Sequence, residues 1–343
     1  MNAFLKRKKI VISAQVYFID AMSAMALGLF SSLIIGLIIK TLGQQSVVLF
    51  GENAVSTQLV VIGTAAMAMM GAAIGVAVAH RLQAPPLVLF SSAVTGSMGA
   101  ASGGPAGAFI AALIAAEFGK AVSKETKLDI LVTPLVTIIT GALIALSVSP
   151  LIAQLMTFLG QIIMTATTYQ PFLMGIIVSV VMGLVLTAPI SSAALAIMLN
   201  LSGIAAGAAT VGCAAQMIGF AVIGYRDNKI SGLFSVGLGT SMLQIPNIVK
   251  NWWILLPPTV ASVITGPLST LVFKMTNVAA GAGMGTSGLV GPITTFNDMG
   301  FTTNTFIGVA VLHFILPAIL SYALYAYLRK LGKIKDGDLK LDV

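Results

Sequence analysis

Leu186-Thr-Ala-Pro-Ile-Ser-Ser-Ala-Ala194 places a proline and several hydroxyls inside an otherwise apolar stretch. Pro189 has no N–H to donate and disfavours helix at the residue before it, so the helical ladder is expected to break here. Thr187, Ser191 and Ser192 then have two uses. They can bond the freed backbone groups of a kinked helix, or they can bond the hydroxyls of a small solute. Two glycine-rich breaks offer comparable chemistry. The first is Ser102-Gly103-Gly104-Pro105, with Thr95 and Ser97 nearby; the second is Gly285-Thr286-Ser287-Gly288, followed by Pro292, Thr294, Thr295, Asn297 and Asp298. Glycines at these places let backbone amides approach a ligand closely; the plainer reading is that both are hairpin tips.

Polar and ionisable residues inside apolar runs are the next pointers. His313 lies near the centre of the last run, with Pro317 after it, and is read either as a structural hydrogen-bonding group or as part of a site. Gln216, Asn200, Gln244 and Asn247 fall within or beside apolar runs, where they suit a hydroxylated solute or serve as glue between helices. Asp20 lies in the first run, and Glu117 with Lys120 three residues on is expected to form a surface ion pair. No nucleophile–base pair, HExxH or phosphate-loop lysine is present, so the reading includes no catalytic residue, metal or cofactor. Cys213 alone can form neither an intramolecular disulfide nor a multi-cysteine metal site.

The elements that must position these residues follow from composition. Of 343 residues, 57% are hydrophobic and only 8% charged, and the mean hydropathy is +1.02. Soluble domains carry about a quarter charged residues. Without water, backbone groups must bond within helices or a closed barrel, and the long unalternating apolar runs favour helices. The expected fold is an all-α polytopic integral membrane protein of about ten transmembrane or re-entrant segments. A net charge of +8 comes mostly from residues flanking apolar runs, where they set orientation, and does not point to nucleic acid. The first run is too long for a cleavable signal and reads as a retained helix.

Clear spans are expected at about 15–40, 57–79, 130–149, 172–188, 203–223, 254–273 and 303–327. Shorter pieces at about 86–99 and 105–119 read as a hairpin, since fourteen residues rise only about 21 Å against a core of roughly 30 Å. Leu151 to Thr165 and Ile245 to Trp253 read as interfacial, with Trp252 and Trp253 as anchors. Lys6-Arg7-Lys8-Lys9 and the basic tail after the last helix place both termini in the cytoplasm. Weak matches recur in order: 28–37 with 175–184, 74–81 with 218–226, and 139–143 with 264–268. They indicate an internal repeat and divide the chain into a first half at 1–150, a second half with the final helix at 151–327, and a basic cytoplasmic tail at 328–343.

The segment 183–197, GLVLTAPISSAALAI, resembles a motif of the EIIC-like membrane components of the bacterial sugar phosphotransferase system. The nearest group includes the perfringolysin O regulator (PfoR), and 102–107 and 285–292 are similar to that group as well. The resemblance implies about ten transmembrane helices, a homodimer in the bacterial inner membrane, and a role as sugar permease or membrane-bound regulator. The chain departs from working permeases in lacking a IIB-like domain with a phosphorylated cysteine and a GITE-type glutamate motif. The expected function is a transporter-like protein that binds a small polar solute, such as a sugar, between two repeated halves, without its own phosphoryl-transfer domain. The expected contacts are Thr187, Pro189, Ser191, Ser192, Ser102, Gly103, Gly104, Gln216, Thr286, Ser287 and His313. The alternatives are a regulator or sensor of gene expression without net transport, and a channel.

Overall fold

The computed structural model describes residues 2–341, except for the side chains of Asn2, Val48, Leu49, Ser102 and Ser149. Among these residues the chain is helical, with no strand beyond a single bridge between Gly203 and Asn277. It divides into two compact units, Met1–Leu155 and Met156–Val343.

Unit 1 begins with α1 (Asn2–Arg7) and the long helix α2 (Val16–Val47). The expected span at 57–79 is two helices, α3 (Ala54–Ala68) and α4 (Met70–Arg81), bent by 46° about Met69. No proline causes this bend. Gly71 and Gly75 lie so close to the next helix that an added Cβ would meet Gly96 O at 2.7 Å and Ser92 O at 2.0 Å, so close packing sets the path of α4. That next helix, α5 (Pro86–Ala101), is followed directly by α6 (Gly103–Val122). The chain reverses at Gly104, whose φ of 56° and ψ of −148° suit a residue without Cβ. Gly99 and Gly107 then touch backbone to backbone, and Gly119 meets Val88 further down, which makes α5 and α6 the expected hairpin.

Helix α7 (Asp129–Ala166) continues past Pro134 and Pro150 and contains the segment expected to lie at the interface. Pro150 therefore does not end the helix. Its apolar residues face outward, Ile130 at 72% and Leu146 at 70% exposure. Water would not tolerate such a face over this length, whereas lipid does.

The Glu117–Lys120 pair is not at the surface. The Lys120 side chain is only 1% exposed, and its ammonium donates to Glu117 Oε1 at 3.1 Å, Lys9 O at 2.8 Å and Leu82 O at 2.9 Å. All three N–H donors are used, which is the condition under which a buried ammonium is tolerated. Near it, Lys8 and Arg7 pair with Glu125 at 2.5 and 2.7 Å. The hydrogen bond from Lys8, with Arg7 close by, holds the Glu125 carboxyl below its ordinary range. A depressed carboxylate contributes stability above its ordinary pKa and loses it as pH falls through the depressed value. Amide exchange across residues 3–10, corrected for intrinsic rate, should thus be slow at pH 7 and faster at pH 3. Equal protection at both pH values would remove this pair from the docking of α1.

Unit 2 is built around α10 (Gly203–Ile223), nearly all of which is buried. The helix is rich in alanine and glycine, so neighbouring backbones approach it closely. Helix α8 (Pro171–Thr187) and α13 (Trp252–Val272) pack against it. Between them lie short pieces: α9 (Ser192–Met198), α11 (Tyr225–Phe234) and α12 (Ile245–Lys250). Then come α14 (Ala279–Ala282), α15 (Val290–Met299) and the final α16 (Thr303–Lys330). By length and apolarity six helices among the described residues can cross a membrane, or up to seven with the bent pair α3–α4; α5 and α8 are shorter apolar helices.

Candidate functional site

Three interruptions of unit 2 meet on α10. The first follows Thr187, the C-terminal residue of α8. Ala188 is extended (φ −68°, ψ 160°), and the helix resumes at Ser192. Pro189 thus breaks the ladder where expected. Ser191 Oγ caps the new helix by accepting from Ala194 N at 3.2 Å, and Ser192 Oγ donates to Gly283 O at 2.6 Å. Ser191 thus serves the backbone of the kink itself, one of the two uses foreseen, whereas Ser192 ties the kink to the backbone of the glycine-rich segment.

Thr187 does something different. Its Oγ1 is 2.8 Å from Ser241 Oγ, donates to Gly183 O at 3.2 Å and reaches Gln216 Oε1 at 3.4 Å. Gln216, at the middle of α10 and fully buried, donates through Nε2 to Thr259 Oγ1 at 3.0 Å. A continuous chain of side-chain hydroxyls and an amide therefore crosses α8, the turn at Ser241–Gln244, α10 and α13. The second interruption supplies that turn: a π-helical segment, Ser235–Gly239, gives way to extended Thr240 before it.

The third interruption is the glycine-rich segment. Gly285 has φ +52°, and a Cβ there would meet Cys213 C at 2.7 Å, so only glycine lets this loop lie on α10. Thr286 Oγ1 donates to Gly237 O at 2.5 Å, joining the third interruption to the second. Ser287 is 2% exposed, and its Oγ has no hydrogen-bond partner among the described residues. Asn277 anchors the loop: its Nδ2 lies 2.9 Å from Thr210 Oγ1, 3.0 Å from Thr295 Oγ1 and 3.2 Å from Gly291 O.

Thr187, Pro189, Ser191, Ser192, Gln216, Thr286 and Ser287 are thus gathered within one unit. His313 lies in the π-helical segment Ala310–Ile315 of α16, 1% exposed, with Nδ1 unpartnered among the described residues. π-Helical turns recur at functional sites, and no residue pattern announced this one. Gly103 and Gly104 form the hairpin turn of unit 1, where a Cβ on Gly103 would meet Ile152 Cδ1 at 2.7 Å; the side chain of Ser102 lies outside the described residues. Sequence reasoning passed over Thr259 and Asn277. Asn277 did carry a signal, a lone amide between a span and a glycine-rich break. Among the described residues, no group of three or more His, Cys, Asp or Glu is placed to hold a metal ion.

Interrupted apolar helices lined by paired hydroxyls and amides define a polytopic α-helical membrane protein of transporter type. The family model described as "Phosphotransferase system, EIIC" matches residues 19–341, and the chain belongs to that family. An EIIC domain is the membrane component of a sugar transporter rather than the part that transfers phosphoryl groups. No curated protein and no solved structure matches the chain.

Proposed function

We propose that the protein binds and translocates a small polar solute, a sugar or a related polyol, at the convergent breaks of unit 2. The buried hydroxyl–amide chain through Thr187, Gln216 and Thr259, together with the unpartnered Ser287 hydroxyl of the glycine-rich segment, carries this reading. A sugar presents many hydroxyls that both donate and accept, and such a chain can exchange its internal bonds for bonds to them. Ser191, Ser192 and Thr286 shape the breaks, and His313 offers a further polar atom. Ser102, Gly103 and Gly104, at the hairpin turn of unit 1, are a separate candidate contact of that unit. We propose further that the protein lies in the bacterial inner membrane as a homodimer with both termini in the cytoplasm. The basic clusters at both ends support that orientation, and the family resemblance supports the dimer.

The test is saturable uptake of labelled hexoses and hexitols by proteoliposomes. Gln216→Leu is a clean probe, because Thr187 keeps Gly183 O and Ser241, and Thr259 keeps Leu255 O at 2.7 Å. The melting temperature should hardly move, while uptake falls by about tenfold or more. Ser287→Ala removes a hydroxyl that has nothing to lose in the fold. It should raise the half-saturating concentration about three- to tenfold, the worth of one hydrogen bond. Binding without uptake would replace the transporter with a sensor of the PfoR type, and unsaturable flux would replace it with a channel.

A further inference from the structure

The segment after α16 does not trail away from unit 2. Ile334, Leu339 and Leu341 are buried, at 2%, 1% and 7% exposure. The backbone of this segment is held by side chains from the second interruption and its flanks. The Asp227 carboxylate accepts from Gly337 N and Leu339 N, each at 3.2 Å. Asn228 donates to Leu339 O at 2.7 Å and accepts from Leu341 N at 2.8 Å. Gln244 also donates to Leu339 O, at 3.0 Å, and Asn247 to Lys340 O at 2.9 Å. Bonds to main-chain atoms fix the register of a docked segment whatever its side chains, and the buried leucines set its depth.

Three further features set this segment apart from a loose tail. Gly332 and Gly337 have φ of +70° and +91° with open space around them, so the segment turns on two glycines. The family match runs through residue 341, which makes the segment part of the domain. And Gln244 closes the turn Ser241–Gln244, so one turn grips Leu339 at one end and Thr187 at the other.

We propose that residues 334–341 are a latch that holds the Ser241–Gln244 turn against Thr187, and that its release opens the polar chain to solute. The proposal rests on the solute-site reading above and supplies its regulation. A partner or ligand that competes for Asp227, Asn228 and Gln244 would act as an opener. The basic residues Lys333, Lys335 and Lys340 then serve a docked segment rather than a free tail.

The experiment reads access to position 241 without needing the solute. A Ser241→Cys chain in a Cys213→Ala background is reconstituted in nanodiscs, and its alkylation by N-ethylmaleimide is timed. Gly337→Pro, which removes one N–H held by Asp227 and cannot adopt φ +91°, should raise the rate about tenfold or more. Asp227→Ala should do the same, and Asp227→Asn, whose amide oxygen still accepts, should return most of the way to the parent rate. Rates within about twofold of the parent in both Gly337→Pro and Asp227→Ala overturn the latch. Native Cys213, wholly buried, reports on unfolding: if Gly337→Pro makes it reactive in the otherwise unaltered chain, the segment is a folding strap and the latch is again overturned. Hexose uptake and binding, read in the chain that keeps Ser241, separate the two readings. A thiol at position 241 that responds to latch release, in a protein that binds no hexose, keeps the latch and removes the solute site. Intact uptake with no response at position 241 removes the latch alone.

Discussion

Gly212→Ala should lower the melting midpoint of the protein by roughly 5–10 °C, following a loss of about 3 kcal/mol. The added Cβ would lie 2.0 Å from Ser179 O and 2.5 Å from Ser179 C and Cα. These are backbone atoms of α8, so no rotamer change relieves the overlap and the two helices must separate. Separation stretches other bonds at the same seam, including Ser179 Oγ to Ser262 O at 2.9 Å and the contact of Thr187 with Gln216. Overpacking of an interior costs about 1–3 kcal/mol, and backbone-on-backbone contact puts this case at the upper end of that range. Gly203→Ala is the control. Nothing lies within 4 Å of its Cβ position, and only its φ of +58° is unfavourable, a cost of about 1–2 kcal/mol. Tryptophan fluorescence from Trp252 and Trp253 follows unfolding of unit 2 in detergent. Equal midpoint shifts for the two variants would show that close helix contact is not what Gly212 provides.

Backbone sterics of this kind also decide what could be read in the residue string. The hairpin of α5 and α6 was legible because Gly99, Gly104, Pro105 and Gly107 announce both a reversal and a close contact, and backbone sterics alone demand them. The break after Thr187 was legible because Pro189 removes a donor wherever it sits in a helix. Continuation of α7 through Pro150 was not legible. One missing hydrogen bond is a local cost that surrounding helix can absorb, and in lipid the alternative of exposed backbone costs more. The bend at Met69 arises from the approach of Gly71 and Gly75 to α5, a tertiary effect with no local mark. The polar chain was legible in part. Thr187 and Gln216 stood out as polar groups in apolar surroundings, whereas Thr259 was hidden because a threonine bonding its own helix backbone looks the same in sequence. Gln244 and Asn247 could be read as polar residues near spans, but the target they share with Asn228, the backbone of Leu339 and Lys340, is far away along the chain.

Lys120 gives the largest electrostatic effect expected in unit 1. Lys120→Met should cost about 3–5 kcal/mol, because it leaves the Glu117 carboxylate without its cation and strips the donor from Lys9 O and Leu82 O. Its Arg81–Asp20 counterpart has the same ion-pair chemistry at 3.0 Å, but the side chains are 48% and 28% exposed. Arg81→Met should therefore cost no more than about 1 kcal/mol. Glu117→Leu placed on Lys120→Met should recover at least half of the loss, since the uncompensated charge goes with it and only two carbonyls remain unpaired. The double-mutant cycle, read from melting midpoints in detergent, isolates that term. Additive costs from the two single variants would mean that Lys120 acts through the carbonyls of Lys9 and Leu82 alone. A coupling of about 2 kcal/mol or more would mean that the ion pair itself holds the N-terminal segment against α6. The spacing of Glu117 and Lys120 is the same in either case; burial among Lys9, Leu82 and α6 turns an ordinary i,i+3 pair into a structural one.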